Sequence, residues 1–237
     1  MEESLMAVES RLEPGACAAQ TGHGRACLTM LMLTVALACC GPASRAGVVL
    51  FDNFSAGSPN GSSGVTNTVW LSQAFTTTAT DFVLDSVSLR LWNQNGTSGN
   101  FELQVWDALG TSGRPGSLVG SAIYTGLAQN LGSSYGSLLP VSSLNVPLAA
   151  STSYYLLARG TSLTDVPDGE GGFRPGVLYW DQTNVNTSAS YLTNDSGTSW
   201  FLEGTNKFMS VTAVPEPSSG VLFAVGLAAW AMLRRRR

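Results

Sequence analysis

The sequence predicts an all-β fold, an antiparallel β-sandwich or jelly roll, for the central part of the chain. Short segments that are apolar, or that alternate apolar and polar residues, recur along residues 47–213 and are separated by turns rich in Gly, Ser, Thr and Asn. Charged residues make up only 12% of the 237 residues, which disfavours long helices with charged outer faces. No helical period or internal repeat runs through this region, so two packed sheets are favoured.

The strands are expected at ten segments in chain order. They are residues 48–54, 68–75, 82–92, 101–106, 117–124, 153–159, 177–181, 190–193, 199–203 and 207–213. Segment 101–106 alternates cleanly, with apolar residues on one face. Segment 82–92 has apolar and polar residues on both faces, which is typical of a half-buried strand. Residues 55–64 and 93–100 are predicted to be turns or loops, and 125–147 a mixture of strand pieces and loops.

Residues 1–46 are predicted to be an N-terminal extension followed by a signal helix. Arg25 precedes an apolar run at residues 26–40, and small residues follow that run, as in a secretory signal peptide. Ser44 and Ala46 fit the small-x-small cleavage pattern, so export through the Sec translocon should leave a mature start near Gly47. A lipoprotein site at the Cys39-Cys40 pair is the alternative. The long acidic stretch before Arg25 leaves open whether translation starts at Met1 or downstream.

Residues 214–237 combine three features that together predict engagement with a membrane. An extended linker comes first, because each proline fixes φ and disfavours helix in the preceding residue; it consists of Val214, Pro215, Glu216 and Pro217. A single apolar helix is expected next, over residues 220–233, and at ~1.5 Å per residue it falls short of the ~30 Å hydrocarbon core. The chain then presents four positive charges that favour the cytoplasmic side: Arg234, Arg235, Arg236 and Arg237.

This order of features resembles the PEP-CTERM sorting signal of Gram-negative bacteria that produce exopolysaccharide. The resemblance rests on Val214, Pro215, Glu216 and Pro217, on the short hydrophobic helix and on the terminal arginines. It implies recognition by an exosortase, a membrane-embedded transpeptidase that cleaves near Pro-Glu-Pro. The product would be transferred to the envelope or released into the extracellular matrix. A retained C-terminal helix, giving a simple single-pass anchor, is the alternative outcome.

The positions of the cysteines, histidine and basic residues exclude several classes of function for residues 48–213. All four cysteines and the single histidine precede this region, so it has no side chains for a Cys nucleophile, a His-dependent triad or a typical zinc site. The bases in it are isolated along the chain, whereas a nucleic-acid surface needs clustered Lys and Arg. They are Arg90, Arg114, Arg159, Arg174 and Lys207.

A second resemblance covers most of residues 69–213. Four short patterns are similar to the bacterial choice-of-anchor domains, in particular type R, and they lie at residues 70–75, 82–87, 113–116 and 148–155, with Trp180 and Trp200 extending the match. The resemblance implies a β-rich extracellular domain that carries an interchangeable C-terminal sorting signal. It implies no catalytic residues.

The most polar loop of the chain is a candidate calcium site. Asp165, Asp168 and Glu170 supply carboxylates, the hard oxygen ligands that Ca²⁺ prefers, in a Gly-rich segment. Their spacing is not that of an EF-hand, and a solvated turn is the alternative interpretation. No other cofactor is expected.

Aromatic residues suit either a sugar-stacking platform or the core of a sandwich. The candidates are Trp92, Trp106, Tyr124, Tyr179, Trp180, Tyr191 and Trp200. A glycan-acting enzyme would need two carboxylates facing across a cleft, and no spacing singles out a pair among Glu102, Asp107, Asp181 and Glu203. We therefore expect a non-enzymatic surface protein associated with exopolysaccharide or biofilm matrix. A carbohydrate-binding module is the first alternative and a glycan-acting enzyme the second.

Overall fold

The computed structural model describes residues 46–185, 188–216 and 234, which all belong to the unit formed by residues 45–237. The predicted signal helix and the apolar C-terminal helix lie outside the described residues and stay predictions. In the part of the chain that the structure describes, no helix is long and apolar enough to cross a membrane. Three short 3₁₀ helices occur between residues 46 and 216: Phe54–Ala56, Thr111–Gly113 and Ala128–Asn130.

All other regular structure described in this range is β-strand. In chain order the strands are β1 (Val48–Asp52), β2 (Gly61–Val65), β3 (Trp70–Thr76), β4 (Phe82–Leu89), β5 (Leu91–Trp92), β6 (Asn100–Asp107), β7 (Tyr124–Leu127), β8 (Leu139–Val141), β9 (Val146–Leu148), β10 (Ser153–Gly160), β11 (Val166–Pro167), β12 (Phe173–Arg174), β13 (Leu178–Thr183), β14 (Ser190–Thr193), β15 (Phe201–Glu203), β16 (Asn206–Lys207) and β17 (Met209–Pro215).

Two larger sheets, one smaller sheet and one two-stranded ribbon contain these strands. The five-stranded sheet has the order β1-β17-β4-β8, with β9 also paired to β4. The six-stranded sheet has the order β15-β14-β3-β10-β6-β7. In the four-stranded sheet β13 pairs with β16, β2 and β5, and β11 pairs with β12 alone. Every described ladder is antiparallel, so the prediction of an all-β antiparallel fold is confirmed.

One hydrophobic core is shared by the five-stranded and six-stranded sheets. Phe82 and Val211 come from the first sheet and Phe75 and Leu156 from the second, and each is at most 2% exposed. Burying a side chain of this size stabilises the fold by about 1.5–3 kcal/mol. Two sheets that contribute to one core are what the predicted sandwich requires, while the jelly-roll connectivity stays a prediction. Trp180 of the four-stranded sheet is fully buried in the same core.

A β-bulge in β4 explains the mixed alternation of this segment. Thr212 of β17 pairs with Ser86, but the next residue, Ala213, pairs with Leu84, so Asp85 is an extra residue. Such a bulge reverses which positions face the core. Even-numbered residues are buried before it and odd-numbered residues after it: Phe82, Leu84, Val87 and Leu89. The single strand expected over 82–92 is also broken at Arg90, whose amide donates to the carbonyl of Phe208 at 3.2 Å.

Three expected loops and strands are corrected by the structure. Residues 61–65, within and after an expected loop, form β2, because its small residues fit against β13: a Cβ at Gly61 would lie 2.9 Å from Nε2 of Gln182. Residues 117–124 were expected to be a strand, but they contribute only a bridge from Leu118 to Trp106 before β7 begins at Tyr124. Residues 165–172 were expected to be one polar loop, but Val166 and Pro167 within it form β11, which pairs with β12.

Candidate functional site

The C-terminal linker motif begins inside the folded domain. The expected boundary after Ala213 is too early, because β17 continues through Val214 and Pro215, which pair with Val83 and Phe82 of β4. The amide of Glu216 then donates to the carbonyl of Asp81 at 2.9 Å. The expected unpaired linker is therefore reduced, among the described residues, to Glu216, whose side chain is exposed. Pro217 lies outside the described residues.

Pro215 is accommodated in the sheet by its position in the ladder. Hydrogen-bonded and non-hydrogen-bonded pairs alternate along antiparallel strands. Because Glu216 donates to Asp81, the neighbouring pair of Pro215 and Phe82 is non-hydrogen-bonded, and the nitrogen of Pro215 faces away from β4. On that side the pairing with β1 ends at Val48 and Ala213. The missing N–H of proline therefore leaves no carbonyl of the described ladder without a donor.

The predicted signal-peptide cleavage would leave the first strand of the domain intact. Ala46 is exposed and β1 begins at Val48, so the predicted cleavage before Gly47 would not remove a paired residue. Gly47 packs closely: a Cβ there would lie 2.7 Å from Cγ2 of Thr212. Ser44, the other predicted cleavage residue, lies outside the described residues, as do Arg235, Arg236 and Arg237, whereas Arg234 is exposed.

A second cluster of aromatic residues lies on the face of the six-stranded sheet that points away from the core. Trp70, Leu157 and Trp200 are its buried members, and Trp106 and Tyr191 pack against them. Trp106 contacts both other tryptophans edge to face, with ring centroids 6.3 Å from Trp70 and 6.1 Å from Trp200. Trp70 is 7% exposed and Trp200 6%. These rings pack on one another and do not form an exposed coplanar row.

Polar groups hold this aromatic cluster in place. Arg159 forms an ion pair with Glu102 at 2.8 Å, and its guanidinium carbon lies 4.9 Å from the centroid of the Trp70 ring. Gln104 accepts a hydrogen bond from Nε1 of Trp106 and donates one to Glu102, each at 2.8 Å. Glu102 therefore bonds to Arg159 and Gln104, which belong to the same sheet.

An open groove of about 560 Å³ lies beside the aromatic cluster on the same face. Tyr155 lines it and donates its hydroxyl to the carbonyl of Gly113 at 2.6 Å, which fixes the 3₁₀ turn at one wall. Burial, with a smaller contribution from Tyr191, raises the pKa of Tyr155 to about 12, so the phenol stays protonated at neutral pH. None of the described residues that line the groove is charged, and most are small: Ala74, Thr76, Ala108, Leu109, Gly113, Ser151, Thr152, Ser153, Tyr155, Ser188 and Ala189.

The remaining predicted aromatic candidates divide between the core and the four-stranded sheet. Trp180 donates from its indole nitrogen to the carbonyl of Phe208 at 3.0 Å and is fully buried. Trp92 is 6% exposed, donates to Asp181 at 2.7 Å and lies 5.0 Å from Tyr179. Burial raises the pKa of Asp181 despite the hydrogen bonds from Trp92 and from the amide of Gly136. Tyr124 is half-buried against Phe101.

A buried lysine is the polar site that sequence patterns missed. Lys207 is fully buried, and its Nζ lies 2.8 Å from Oε1 of Glu203, 2.8 Å from Oγ of Ser63 and 3.1 Å from Oε1 of Gln182. Burial lowers the pKa of Lys207, and Glu203 opposes that shift. The spacing of Glu203 and Lys207, four residues apart, gave no sign of burial because the same spacing is common on exposed surfaces.

Two of the three predicted calcium ligands, Asp165 and Asp168, accept hydrogen bonds from backbone amides of the loop itself. Oδ1 of Asp168 accepts from the amides of Glu170 and Gly172 at 2.9 and 2.8 Å, and Oδ1 of Asp165 accepts from the amide of Gly176 at 3.3 Å. The bond between Asp168 and the amide of Glu170 is that of an Asx turn, and the other two close longer segments of the loop. Among the residues that the structure describes, no group of three or more His, Cys, Asp or Glu side chains is placed to hold a metal ion.

The four carboxylates considered for glycan chemistry have separate partners. Glu102 pairs with Arg159, Glu203 with Lys207, and Asp181 with Trp92. Asp107 accepts from the amides of Leu109 and Ser117 at 3.1 and 2.9 Å. None of the four lines the groove beside Tyr155.

The last strand and the residues that follow it match a known protein-sorting motif. Residues 213–237 match the PEP-CTERM protein-sorting motif. The motif implies sorting by an exosortase-type system and export to the cell surface or the extracellular space. Its first residues, Ala213 to Glu216, are those that the structure places at the end of β17. The choice-of-anchor assignment of the preceding domain stays a prediction.

Similarity to known structures and proteins is otherwise low. A weak match is to the crystal structure of the cysteine protease and lectin-like domains of Cwp84, a surface layer associated protein of Clostridium difficile. The TM-score is 0.43 at 12% sequence identity; the match covers 63% of this chain, and the chain spans only 33% of that structure. No curated protein sequence matches this chain.

Proposed function

We propose that this protein is a non-enzymatic, exported β-sandwich protein that an exosortase-type transpeptidase processes at its PEP-CTERM motif. The signal peptide and the Sec translocon bring it across the membrane, and the C-terminal helix holds it there during transit. The mature domain then resides at the surface or in the extracellular matrix of a Gram-negative bacterium, in or beside exopolysaccharide.

The continuity of β17 with the sorting motif is the observation that carries this proposal. Glu216, the third residue of the Val-Pro-Glu-Pro pattern, is the last residue bonded to the sheet through its backbone among those described. The folded body thus includes the first residues of the motif, so removal of the residues after Glu216 would leave every described strand in place. The absence of His and Cys from residues 48–213 supports a role without a His-dependent triad or a Cys nucleophile.

Fractionation of a host that carries an exosortase tests the delivery step. Wild type should occur outside the cytoplasmic membrane with its C-terminal helix removed. A variant truncated after Glu216, which keeps all of β17, should be exported but lose any exosortase dependence. The proposal fails if deletion of the exosortase leaves both the mass and the location of the wild-type protein unchanged.

The uncharged groove beside Tyr155 favours one alternative, a carbohydrate-binding module for a neutral glycan. Small hydroxyl-bearing residues line it, and its volume of about 560 Å³ is within the ~300–1,000 Å³ range of small-molecule sites. Ser153→Trp at the exposed rim should fill the groove and abolish retention on neutral polysaccharide. Thr125→Trp, an exposed position on β7 of the same sheet that does not line the groove, is the matched control. Equal retention by both variants would exclude the groove as the binding site.

A further inference from the structure

The position of the first motif residues within the five-stranded sheet restricts where the chain can be cut. β17 lies between β1 and β4 over residues 210–213 and continues against β4 alone through Pro215. Met209, Val211 and Ala213 are fully buried, Val214 and Pro215 are half-buried, and Glu216 is exposed. Among these residues, Glu216 is therefore the first that is exposed.

A transpeptidase needs its substrate segment unpaired, because the segment must enter a cleft and form new backbone contacts there. To reach a bond before Glu216, the enzyme would first have to detach Val214 and Pro215 from Val83 and Phe82. To reach a bond before Ala213, it would have to separate β17 from two neighbours and expose core side chains. Both require local unfolding of an element that belongs to the stable part of the domain.

We infer that the exosortase cuts none of the bonds between Met209 and Glu216, so that the mature protein keeps the whole of β17. The inference rests on the proposed function and adds the location of the processing boundary. The folded domain acts as the stop that excludes the bonds between Met209 and Glu216 from the enzyme.

Transpeptidation at this boundary breaks one amide bond and replaces it by a new bond. The carbonyl carbon of the residue before the scissile bond forms a bond to the enzyme nucleophile, and its bond to the following nitrogen breaks. The released amine, which carries the C-terminal helix, takes up the proton of the nucleophile. An acceptor amine or a water molecule then displaces the enzyme and gives a new amide or a carboxylate at the mature C-terminus.

The mass of the mature protein, purified from a host with an exosortase, tests the inference. Peptide mapping of the C-terminus should find Glu216 retained. A mature C-terminus at Pro215 or earlier would overturn the inference but leave the proposed function intact. A chain that keeps its C-terminal helix would contradict the proposed function, and the inference would fall with it.

An insertion variant separates protection by the fold from recognition of a fixed sequence. Six residues of Gly and Ser placed between Glu216 and Pro217 leave every described contact of β17 unchanged. The mature variant should keep Glu216, with or without inserted residues after it, because the cut lies beyond the sheet. A mature variant that ends before Glu216 would show that the enzyme detaches the strand, which contradicts the inference. The same insertion in the loop at Gly57, an exposed position where an added Cβ would meet no atom within 4 Å, is the matched control and should not move the C-terminus.

Discussion

Replacement of Lys207 by methionine should destabilise the domain far more than replacement of a surface lysine would. The side chain of Lys207 is fully buried, and it is bonded to Glu203, Ser63 and Gln182. Methionine has a similar length and removes the charge without a large change in volume. Glu203 would then be a carboxylate with only 14% of its side chain exposed and no cation beside it.

The magnitude follows from the partners that Glu203 would keep. Removing one partner of a buried ion pair costs about 3–5 kcal/mol. Glu203 would still accept hydrogen bonds from Ser63 at 2.7 Å and Ser190 at 3.2 Å, so we expect the lower end, about 3 kcal/mol. Unfolding in urea, followed by tryptophan fluorescence, measures this change. A loss below about 1 kcal/mol would refute the assignment of a buried, compensated charge.

The double variant Lys207→Met with Glu203→Gln provides the control. It removes the uncompensated charge, so it should be about 2 kcal/mol more stable than Lys207→Met alone.

Burial lowers the pKa of Lys207 below its ordinary value of 10.5, so the unfolded chain binds this proton more tightly. Wild type should therefore gain stability relative to Lys207→Met as the pH rises from the lowered pKa to 10.5. Additive single and double variants, or the opposite pH trend, would contradict this account.

Three further changes test other parts of the fold by urea unfolding. Tyr155→Phe should cost about 1 kcal/mol, because the carbonyl of Gly113 loses its donor; an unchanged midpoint would contradict the described turn. Gly99→Ala should lower the free energy of unfolding by more than about 2 kcal/mol, because φ of Gly99 is 102° and a Cβ would lie 2.0 Å from the carbonyl oxygen of Ser162. Gly96→Ala is the control: φ is 68° there and a Cβ would meet no atom within 4 Å, so the loss should be smaller. Because burial raises the pKa of Asp181, wild type should gain stability relative to Asp181→Asn as the pH falls from that raised pKa towards 3.8; a gain on raising the pH would contradict it.

Alternating patterns in the sequence were sufficient to predict the strands that carry the core. The prediction for residues 101–106 is confirmed, because Phe101, Leu103 and Val105 are buried in the core while Glu102 faces Arg159 on the other side of the sheet. Residues 190–193 form β14 with the expected bounds. The apolar residues of segment 101–106 keep a period of two, so the face that they bury can be inferred from the sequence pattern, whereas β14 buries Ser190 and Thr193 and does not alternate.

The failures have particular physical causes. β2 was missed because a strand of Gly and Ser has no hydrophobic pattern, although its small residues are what allow β13 to approach. The bulge at Asp85 was not recognised because its effect depends on the partner strand β17, far away in sequence. Lys207 resembled a surface base for the same reason: its partners Ser63 and Gln182 come from other strands.

The candidate sites also divide into those that the sequence predicted and those that only the structure reveals. The PEP-CTERM motif was identified in the sequence because its signal is local and contiguous. The groove beside Tyr155 was not predicted, since it is assembled from β3, β10 and separate loops whose small residues have no distinguishing pattern. The aromatic residues were noted, but only the structure distinguishes Trp180 in the core from Trp106 on the opposite face of the sheet.

The attachment of the C-terminal tail to an internal strand has a mechanical consequence. While the tail is tethered, a pull along it loads β17 in the direction of the strand, so its ladders with β1 and β4 resist together in shear. A tail on an edge strand would be held by one ladder instead of two. Drag from flowing water or from a surrounding polymer would therefore be transmitted to the centre of the sheet, and the domain would resist extension while its anchor is still in place.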